Sequence, residues 1–311
     1  MGNRLQKYRG CLLAVALGDV IGSKYEWMSS RDLNSQFKTP LDVIHGTSLK
    51  EDAYYTDDTQ MTICVAESLL KDGRINRENL AQNFSESYDT WRGYGAGTRA
   101  VLNAIYTGAT VEDASVAEFS EGSYGNGAAM RVAPLGLYFP KNQELLRSAV
   151  HDASSITHCH RHGIEGAQIM ANAISYMVRV KQFEIDEYWK VITNAVESNN
   201  FRLKIDQAMS LSSLDDLIEY GSDISALDSV PTALACAAIH HNCLLTAIGT
   251  AILIGGDTDT VASMTGALVG ALVGDHAIPE TFIKAVDRDN KKGATYLITL
   301  ADELEKASNK Q

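Results

Sequence analysis

The sequence predicts an all-α protein in which many helices cross at steep angles, an orthogonal multi-helix bundle. Apolar residues recur every three to four positions over residues 59–71, and Gly73 follows as a helix stop. Residues 163–180 and 187–196 have the same period. Sustained alternation of apolar and polar residues, the pattern of a half-buried strand, is hard to find anywhere in the chain.

Small residues inside the helical segments indicate how closely the helices pack. Residues 262–274, ASMTGALVGALVG, place glycine and alanine at helical spacing, which lets two backbones approach closely. The sequence has no internal repeat, no low-complexity tract and no Pro/Ser-rich linker. We therefore expect one compact domain over residues 1–311.

Composition excludes several classes of function. A formal net charge of −12 disfavours non-specific binding to nucleic acid or anionic membranes, because such binding depends on lysine and arginine. The five cysteines are scattered without a CxxC pair, which fits a reducing cytoplasm better than a disulfide framework.

The N-terminal apolar run is interrupted by Asp19 and two glycines, so we expect no signal peptide. The apolar stretch 244–273 carries Asp257 and Asp259 near its middle, which predicts two buried helices meeting at a polar turn rather than a membrane span.

Two acidic segments stand at the start of predicted helices. Thr-Asp-Asp-Thr at 56–59 has four successive residues of the kinds that cap a helix, whereas a cap needs only one. Gly-Gly-Asp-Thr-Asp-Thr at 255–260 lies between strongly apolar segments, and no lysine or arginine occurs within 244–273. Two carboxylates in a buried turn are poorly solvated unless a positive charge compensates them. Capping remains an alternative for each segment alone, and a bound divalent cation explains the two together.

The ligand chemistry of these segments favours hard cations. Together they supply four carboxylates and several hydroxyls without a convergent His or Cys set, which selects Mg²⁺ or Mn²⁺ over zinc or copper. Four carboxylates exceed what one Mg²⁺ needs, so we expect a dinuclear metal site with the ions about 3.5–4 Å apart. The element Gly-Asp-x-x-Gly-x-x-x-Glu adds Asp19 and Glu26, which are either site residues or ordinary helix-end and solvated residues.

Loops supply further candidate binding groups. The glycine-rich loop 92–98 precedes an apolar helical run, so its N–H groups either wrap an anion or form an ordinary turn. Residues 112–142 are glycine-rich and contain two prolines, which predicts partly loop structure. His158 and His162 fit one helical face, yet no fourth zinc ligand is apparent, and a helix start with one ligand-contacting histidine explains them better. Residues 197–229 carry no motif that we can interpret.

These segments, in this order, resemble the ADP-ribosylglycohydrolase family, whose members remove ADP-ribose from modified arginine, serine or related acceptors. The resemblance runs from near residue 10 to about residue 275, and the paired Thr-Asp-Asp-Thr and Gly-Gly-Asp-Thr-Asp-Thr elements are its most specific part. The matching pieces are GDVIGSKYE (18–26), TDDTQM (56–61), RGYGAGT (92–98), GSYGNGAAMRVAP (122–134), ITH (156–158) and GGDTDTVASMTGALVGA (255–271).

The resemblance implies a centre of two Mg²⁺ ions, with Mn²⁺ as the alternative metal. Asp259 would bridge the two ions, and Glu26 would ligate or guard the second. The residues that would hold the ions are Thr56, Asp57, Asp58, Asp257, Asp259 and Thr260.

The resemblance also implies a path for the nucleotide. The 92–98 loop would cradle the diphosphate, Tyr124 would stack on the adenine and His158 would contact the nucleotide. Arg131 would be structural, holding its loop against the acidic core. The residues that would bind the substrate are Gly95, Gly97, Ser123, Tyr124, Gly125, Asn126 and His158.

The predicted reaction is hydrolysis of the bond between ADP-ribose and an arginine or O-linked serine-type acceptor, on a protein or another ADP-ribose conjugate. A carboxylate would act as general acid or base, either Asp57 or Asp58, with Glu26 as the rival. Two alternatives remain open. One is a two-metal phosphohydrolase of a nucleotide-like substrate, and the other is a non-catalytic relative that binds ADP-ribose.

Overall fold

The computed structural model describes residues 2–50 and 52–309, and these residues form eighteen α-helices and no β-strand. The predicted all-α class is therefore confirmed. The helices are α1 Arg4–Gly22, α2 Ser30–Gln36, α3 Pro40–Gly46, α4 Asp57–Asp72, α5 Arg77–Ser87, α6 Ala96–Tyr106, α7 Val111–Ser115, α8 Ala133–Tyr138, α9 Gln143–Ser154, α10 Arg161–Arg179, α11 Ile185–Ala195, α12 Asn199–Ala208, α13 Leu214–Tyr220, α14 Ala226–Ile239, α15 Leu244–Leu253, α16 Thr258–Val273, α17 Glu280–Asp289 and α18 Ala294–Ser308. Two 3₁₀ turns cover Ala129–Arg131 and Asp275–Ala277.

Helices α1 and α16 pack against each other at the centre of the molecule, and nearly all their side chains are buried. Their backbones touch through small residues. A Cβ atom added to Gly18 would lie 2.2 Å from the carbonyl oxygen of Ala262, and one added to Gly270 would lie 2.3 Å from that of Gly10. The close helix approach predicted from the small residues of 262–274 is therefore confirmed.

The two central helices run antiparallel, which brings polar helix ends together. Gly10 meets Gly270, and further along α1 Gly22 meets Asp259, so residue numbers rise along α1 as they fall along α16. The C-terminal end of α1 therefore lies at the N-terminal end of α16. Helix α4 begins at the same place, because the backbone N–H of Thr56 donates to the Asp19 carboxylate of α1 at 2.9 Å.

The individual helix predictions agree with the structure. The predicted helix 59–71 is α4, and Gly73 closes it in a left-handed conformation with φ +67°. The segments 163–180 and 187–196 correspond to α10 and α11, within two residues at each end. The apolar stretch 244–273 is two buried helices, α15 and α16, joined by a short polar turn.

The predicted loop within residues 112–142 is present, whereas the shared helical face considered for His158 and His162 is not. Residues 112–142 contain a long non-helical segment between α7 and α8. No helix in the described part of the chain is long and apolar enough to cross a membrane. Helix α10 begins only at Arg161, so His158 precedes it and the i, i+4 face considered for His158 and His162 is not formed.

The contact between α1 and α16 predicts that Gly18→Ala destabilises the fold strongly. The added methyl group would overlap backbone atoms of Ala262 and Ser263 that cannot rotate away, so the helices must separate. We expect a loss of about 3 kcal/mol in the free energy of unfolding, measured by chemical denaturation.

Gly95→Ala is the matched control, because a Cβ atom at Gly95 has no atom within 4 Å and the residue has φ −62°. We expect its cost to be about 1 kcal/mol or less, since alanine is only a poorer N-cap than glycine. Equal stability of the two variants would contradict the packing described for α1 and α16.

Candidate active site

A cavity of about 400 Å³ opens where α1, α4 and α16 converge. It is lined by residues from seven separate stretches of the chain, so the fold gathers segments that are distant in sequence. Its lining residues are Glu26, Trp27, Asp57, Asp58, Gly93, Gly95, Ala96, Gly97, Thr98, Phe119, Ser123, Tyr124, Gly125, Asn126, Gly127, Met130, His158, Ile224, Asp257, Asp259 and Thr260.

Thr56 is the one sequence-predicted site residue outside that lining. It is the N-cap of α4, and its hydroxyl oxygen accepts a hydrogen bond from the backbone N–H of Asp58 at 3.4 Å. The capping interpretation is therefore correct for Thr56, whereas the carboxylates of the same segment face the cavity.

Five carboxylates, here called the acidic cluster, meet at one end of the cavity. They belong to Glu26, Asp57, Asp58, Asp257 and Asp259. One carboxylate oxygen from each of Glu26, Asp257 and Asp259 lies within 4.8 Å of the other two, a geometry that can hold a metal ion. Of the described residues that line the cavity, none is lysine or arginine. No lysine or arginine side chain therefore faces the cluster from the described cavity wall to balance its charge.

Asp19 fixes the position of the first acidic segment. This residue is fully buried in α1, and one carboxylate oxygen accepts the Thr56 N–H at 2.9 Å. The other oxygen accepts the N–H of Thr59 at 3.0 Å and its hydroxyl at 2.5 Å. The start of α4 is thus held by a carboxylate of α1.

Asp58 reaches from α4 towards α16. Its Oδ2 accepts a hydrogen bond from the Thr260 hydroxyl at 3.3 Å. Its Oδ1 is buried and has no hydrogen-bond partner within residues 2–50 and 52–309. A buried carboxylate oxygen without a donor is costly, and a hard divalent cation is the kind of group that satisfies it.

The second acidic segment is held by a different set of contacts. The Asp257 carboxylate, at the N-cap of α16, accepts a hydrogen bond from Asn126 Nδ2 at 2.6 Å. The Thr258 hydroxyl donates to the carbonyl oxygen of Gly22 at 2.8 Å, which joins α16 to the end of α1. Asn126 therefore ties the acidic cluster to the glycine-rich segment between α7 and α8.

Burial and mutual repulsion raise the pKa values of the clustered carboxyls. Burial first, and then the negative charge of Asp19, raise the pKa of Asp57 to about 8. Burial and neighbouring carboxylates raise the pKa values of Asp58 and Asp259 well above their usual range. The pKa of Glu26 is raised for the same reasons, although this residue is only half-buried. Because buried carboxylates repel each other, these carboxyls can all be ionised at once only when a positive charge lies among them.

The other sequence-predicted residues lie along the rest of the cavity. Gly95 is the N-cap of α6, so the glycine-rich loop precedes a helix N-terminus as predicted. The segment containing Ser123, Tyr124, Gly125 and Asn126 is fixed by backbone pairing, since Asn126 N–H donates to Ile224 O at 2.9 Å and Ala226 N–H donates to Tyr124 O at 3.0 Å.

His158 is a buried histidine at the cavity wall. Its Nδ1 lies 2.7 Å from the Thr157 hydroxyl. Burial, with a smaller contribution from the nearby Arg131 charge, lowers the pKa of His158 to about 3. The ring is therefore neutral at physiological pH.

Arg131 makes structural contacts, which is the kind of role that the resemblance implied for it. Its fully buried guanidinium donates to Ala153 O at 3.0 Å and to the Thr157 hydroxyl at 2.8 Å. It also lies over the Phe84 ring at 4.7 Å. It therefore supports the segment that carries His158 rather than pairing with a carboxylate, because its donors point at carbonyl and hydroxyl acceptors.

Three cavity residues, Trp27, Phe119 and Ile224, gave no functional signal in the sequence. Asp19, for which the sequence left a site role and a helix-end role open, holds the start of α4. Ile224 comes from the segment 197–229, in which no motif was found, and reaches the site through its pairing with Asn126. A lone apolar residue in a loop has no local sequence pattern that distinguishes a cavity residue from an ordinary surface residue.

Two larger cavities, of about 750 and 760 Å³, lie elsewhere on the molecule. The first is lined by mixed charges that include the Arg147–Glu197 ion pair. The lining of the second includes five cationic residues and no acidic one; among the cations is Lys7, which donates to carbonyl oxygens at the end of α10. The acidic cluster lines neither of these cavities.

Comparisons of sequence and of structure both match this chain to proteins of one family. A family model described as ADP-ribosylglycohydrolase matches residues 1–311. The chain is 32% identical to the ADP-ribosylhydrolase ARH3 of Homo sapiens, covering 89% of this chain and 88% of that protein. It is 30% identical to an uncharacterised protein of Archaeoglobus fulgidus, covering 91% and 93%. A solved structure titled ADP-ribosylglycohydrolase-related protein complex superimposes with a TM-score of 0.74 at 22% identity, covering 98% of this chain and 99% of that chain.

The raised pKa values predict how the stability of the metal-free protein depends on pH. A carboxyl whose pKa is higher in the folded than in the unfolded state stabilises the fold below about pH 4, where it is protonated in both states. That contribution is lost as the pH rises through the folded-state pKa, which for Asp57 is about 8. We expect the Tm of EDTA-treated protein to fall by at least about 5 °C between pH 5 and pH 9, measured by differential scanning fluorimetry.

The control for this prediction is the double variant Asp57→Asn, Asp58→Asn, which keeps the shape of both side chains and removes their titration. Its Tm should depend less steeply on pH over the same interval. Parallel pH profiles for the variant and the unmodified protein would show that the acidic cluster is not the source of the dependence.

Proposed function

The chain belongs to the ADP-ribosylglycohydrolase family of glycosidase-type hydrolases, and we propose that it releases ADP-ribose from a modified acceptor with the help of two divalent cations. One observation carries the proposal, namely a largely buried acidic cluster at the end of a nucleotide-sized cavity whose described lining has no lysine or arginine. The relatives named ADP-ribosylhydrolase support the same reaction class.

The proposed metals are two Mg²⁺ ions, with Mn²⁺ as the alternative. The donor set supports them, because it consists of carboxylate and hydroxyl oxygens and includes the unpartnered Oδ1 of Asp58. Bound Mg²⁺ would orient the ribose hydroxyls and lower the pKa of a water molecule. The proposed ligands are Thr56, Asp57, Asp58, Asp257, Asp259 and Thr260.

The remaining cavity residues are proposed to bind the ADP-ribose portion. Gly95 and Gly97 begin α6, where free backbone N–H groups and the helix dipole favour a diphosphate. Tyr124 is 57% exposed and lines the cavity, so its ring is free to stack on adenine. Ser123, Gly125 and Asn126 follow the same wall towards the acidic cluster, and the neutral His158 ring offers one donor or acceptor to the nucleotide.

A carboxylate beside the scissile bond is proposed to transfer the proton. The bond between the anomeric carbon and the acceptor breaks through an oxocarbenium-like state, so the leaving group needs a proton and the attacking water must lose one. Asp57, Asp58 and Glu26 line the cavity at this end. Glu26 and Asp57 are half-buried, and Glu26 lies in the loop after α1, whereas Asp58 is buried and fixed between two hydroxyls.

The proposed partner is an ADP-ribosylated protein or another ADP-ribose conjugate, with the acceptor either arginine or an O-linked serine-type group. The cavity supports ADP-ribose chemistry without selecting between these acceptors. A cytoplasmic location forms part of the proposal, and it is supported by five free cysteines.

The proposal predicts Mg²⁺-dependent release of free ADP-ribose. ADP-ribosyl-arginine and ADP-ribosyl-serine peptides are incubated with the protein, with Mg²⁺ or with EDTA, and the products are separated by chromatography. We expect one peptide to release ADP-ribose with Mg²⁺ and almost none with EDTA. Release of AMP or inorganic phosphate instead would identify a phosphohydrolase and contradict the proposal, as would full activity in EDTA.

The acidic cluster predicts the effect of isosteric substitutions. Asp257→Asn and Asp259→Asn should each reduce kcat roughly a hundredfold or more, because each removes a charged oxygen at the reacting centre. Their Tm values should not fall, since each removes a buried charge from a repulsive set. Asp206→Asn, the same change at an exposed position of α12, is the control and should leave turnover unchanged. Full activity in either cluster variant would contradict the two-metal mechanism.

A further inference from the structure

Trp27 has a backbone conformation that tryptophan rarely adopts. Its φ is +67°, and among residues 2–50 and 52–309 it is the only non-glycine residue with a positive φ. A bulky L-residue in the left-handed region is strained, because its Cβ crowds the following carbonyl group. Glycine would adopt this conformation without strain. An observed outlier of this kind next to a site justifies a functional hypothesis.

Contacts with the second acidic segment hold Trp27 in this conformation. Its N–H donates to the carbonyl oxygen of Gly256 at 2.8 Å, and the N–H of Gly256 donates to Met28 O at 2.9 Å. Ser29 continues this pairing through an isolated bridge to Gly255. The loop that carries Glu26 and Trp27 is thus tied to the turn that precedes Asp257.

The Trp27 side chain does not serve the core. It is 68% exposed, although it lines the cavity beside Glu26. A large apolar ring held open to solvent at the mouth of a polar site is available to bind a ligand. Packing therefore does not explain why a tryptophan occupies a position that suits glycine.

We propose that Trp27 binds the polypeptide segment that flanks the modified acceptor residue, and so favours ADP-ribosylated peptides over substrates with a small acceptor. This inference rests on the proposed function. In that reaction the acidic cluster lies at the bond between ribose and acceptor, so the group just outside the cluster is the acceptor and its chain. Trp27 is the large exposed ring next to Glu26 and Gly256, at that end of the cavity.

Three substitutions distinguish the effect of the Trp27 ring from the effect of its backbone strain. Trp27→Ala removes the ring and leaves a Cβ atom in the left-handed conformation, whereas Trp27→Gly removes both the ring and the strain. Trp27→Phe keeps an aromatic surface. The measurements are kcat and KM for an ADP-ribosylated peptide and for the same ADP-ribosylated amino acid without flanking residues. For each variant we would also measure the Kd for free ADP-ribose in the presence of Mg²⁺ by calorimetry, and the Tm.

The expected result is a selective loss on the peptide. Trp27→Gly and Trp27→Ala should both lower kcat/KM for the peptide about tenfold, mainly through KM, as loss of an exposed tryptophan anchor does at peptide interfaces. Activity on the single amino acid and the Kd for ADP-ribose should stay within about twofold of the unmodified protein. Trp27→Phe should retain most of the peptide activity, and the Tm of Trp27→Gly should equal or exceed that of Trp27→Ala.

Three outcomes would overturn the inference. The first is unchanged kcat/KM for the peptide in both the glycine and the alanine variants. The second is an equal loss of affinity for free ADP-ribose, which would assign the ring to the nucleotide. The third is full activity in Trp27→Gly with loss in Trp27→Ala, which would assign the effect to strain. If the unmodified protein releases no ADP-ribose from any of these substrates, the proposed function itself fails, and the inference fails with it.

Discussion

The close antiparallel contact between α1 and α16 is the constraint on which the site depends. Glycine and alanine at the crossing points let the two backbones touch, since a Cβ atom on Gly18 would lie only 2.2 Å from the carbonyl oxygen of Ala262. Because the helices run antiparallel, the end of α1 that carries Asp19 meets the start of α16. A larger residue at Gly18 or Gly270 would push apart the two helices that carry these polar ends.

The acidic cluster destabilises the metal-free fold. Burial and mutual repulsion raise the pKa values of its carboxyls, and Asp58 Oδ1 has no hydrogen-bond donor among the described residues. Helix capping accounts for Thr56 and not for the carboxylates beside it. Such a violation of ordinary burial rules at one place is typical of a functional site, and it is the physical basis for proposing bound cations.

Local patterns in the sequence predicted more of this structure than long-range contacts could. Period and stop signals predicted α4, α10 and α11, and the apolar segments on both sides of Asp257 predicted a buried acidic turn. Asp19 remained ambiguous, because its hydrogen bonds to Thr56 and Thr59 cross from one helix to another. The left-handed backbone of Trp27 was invisible for the same reason, since the pairing that imposes it comes from residues 255–256.

The central claim is that α1, α4 and α16 together build a site for two divalent cations beside a site for ADP-ribose. Anomalous diffraction from crystals grown with Mn²⁺ and ADP-ribose tests it most directly. The account predicts two Mn²⁺ peaks, one near Thr56, Asp57 and Asp58 and one near Asp257 and Thr260, with Asp259 between them. Ordered ADP-ribose in the cavity without Mn²⁺ at these carboxylates would contradict it.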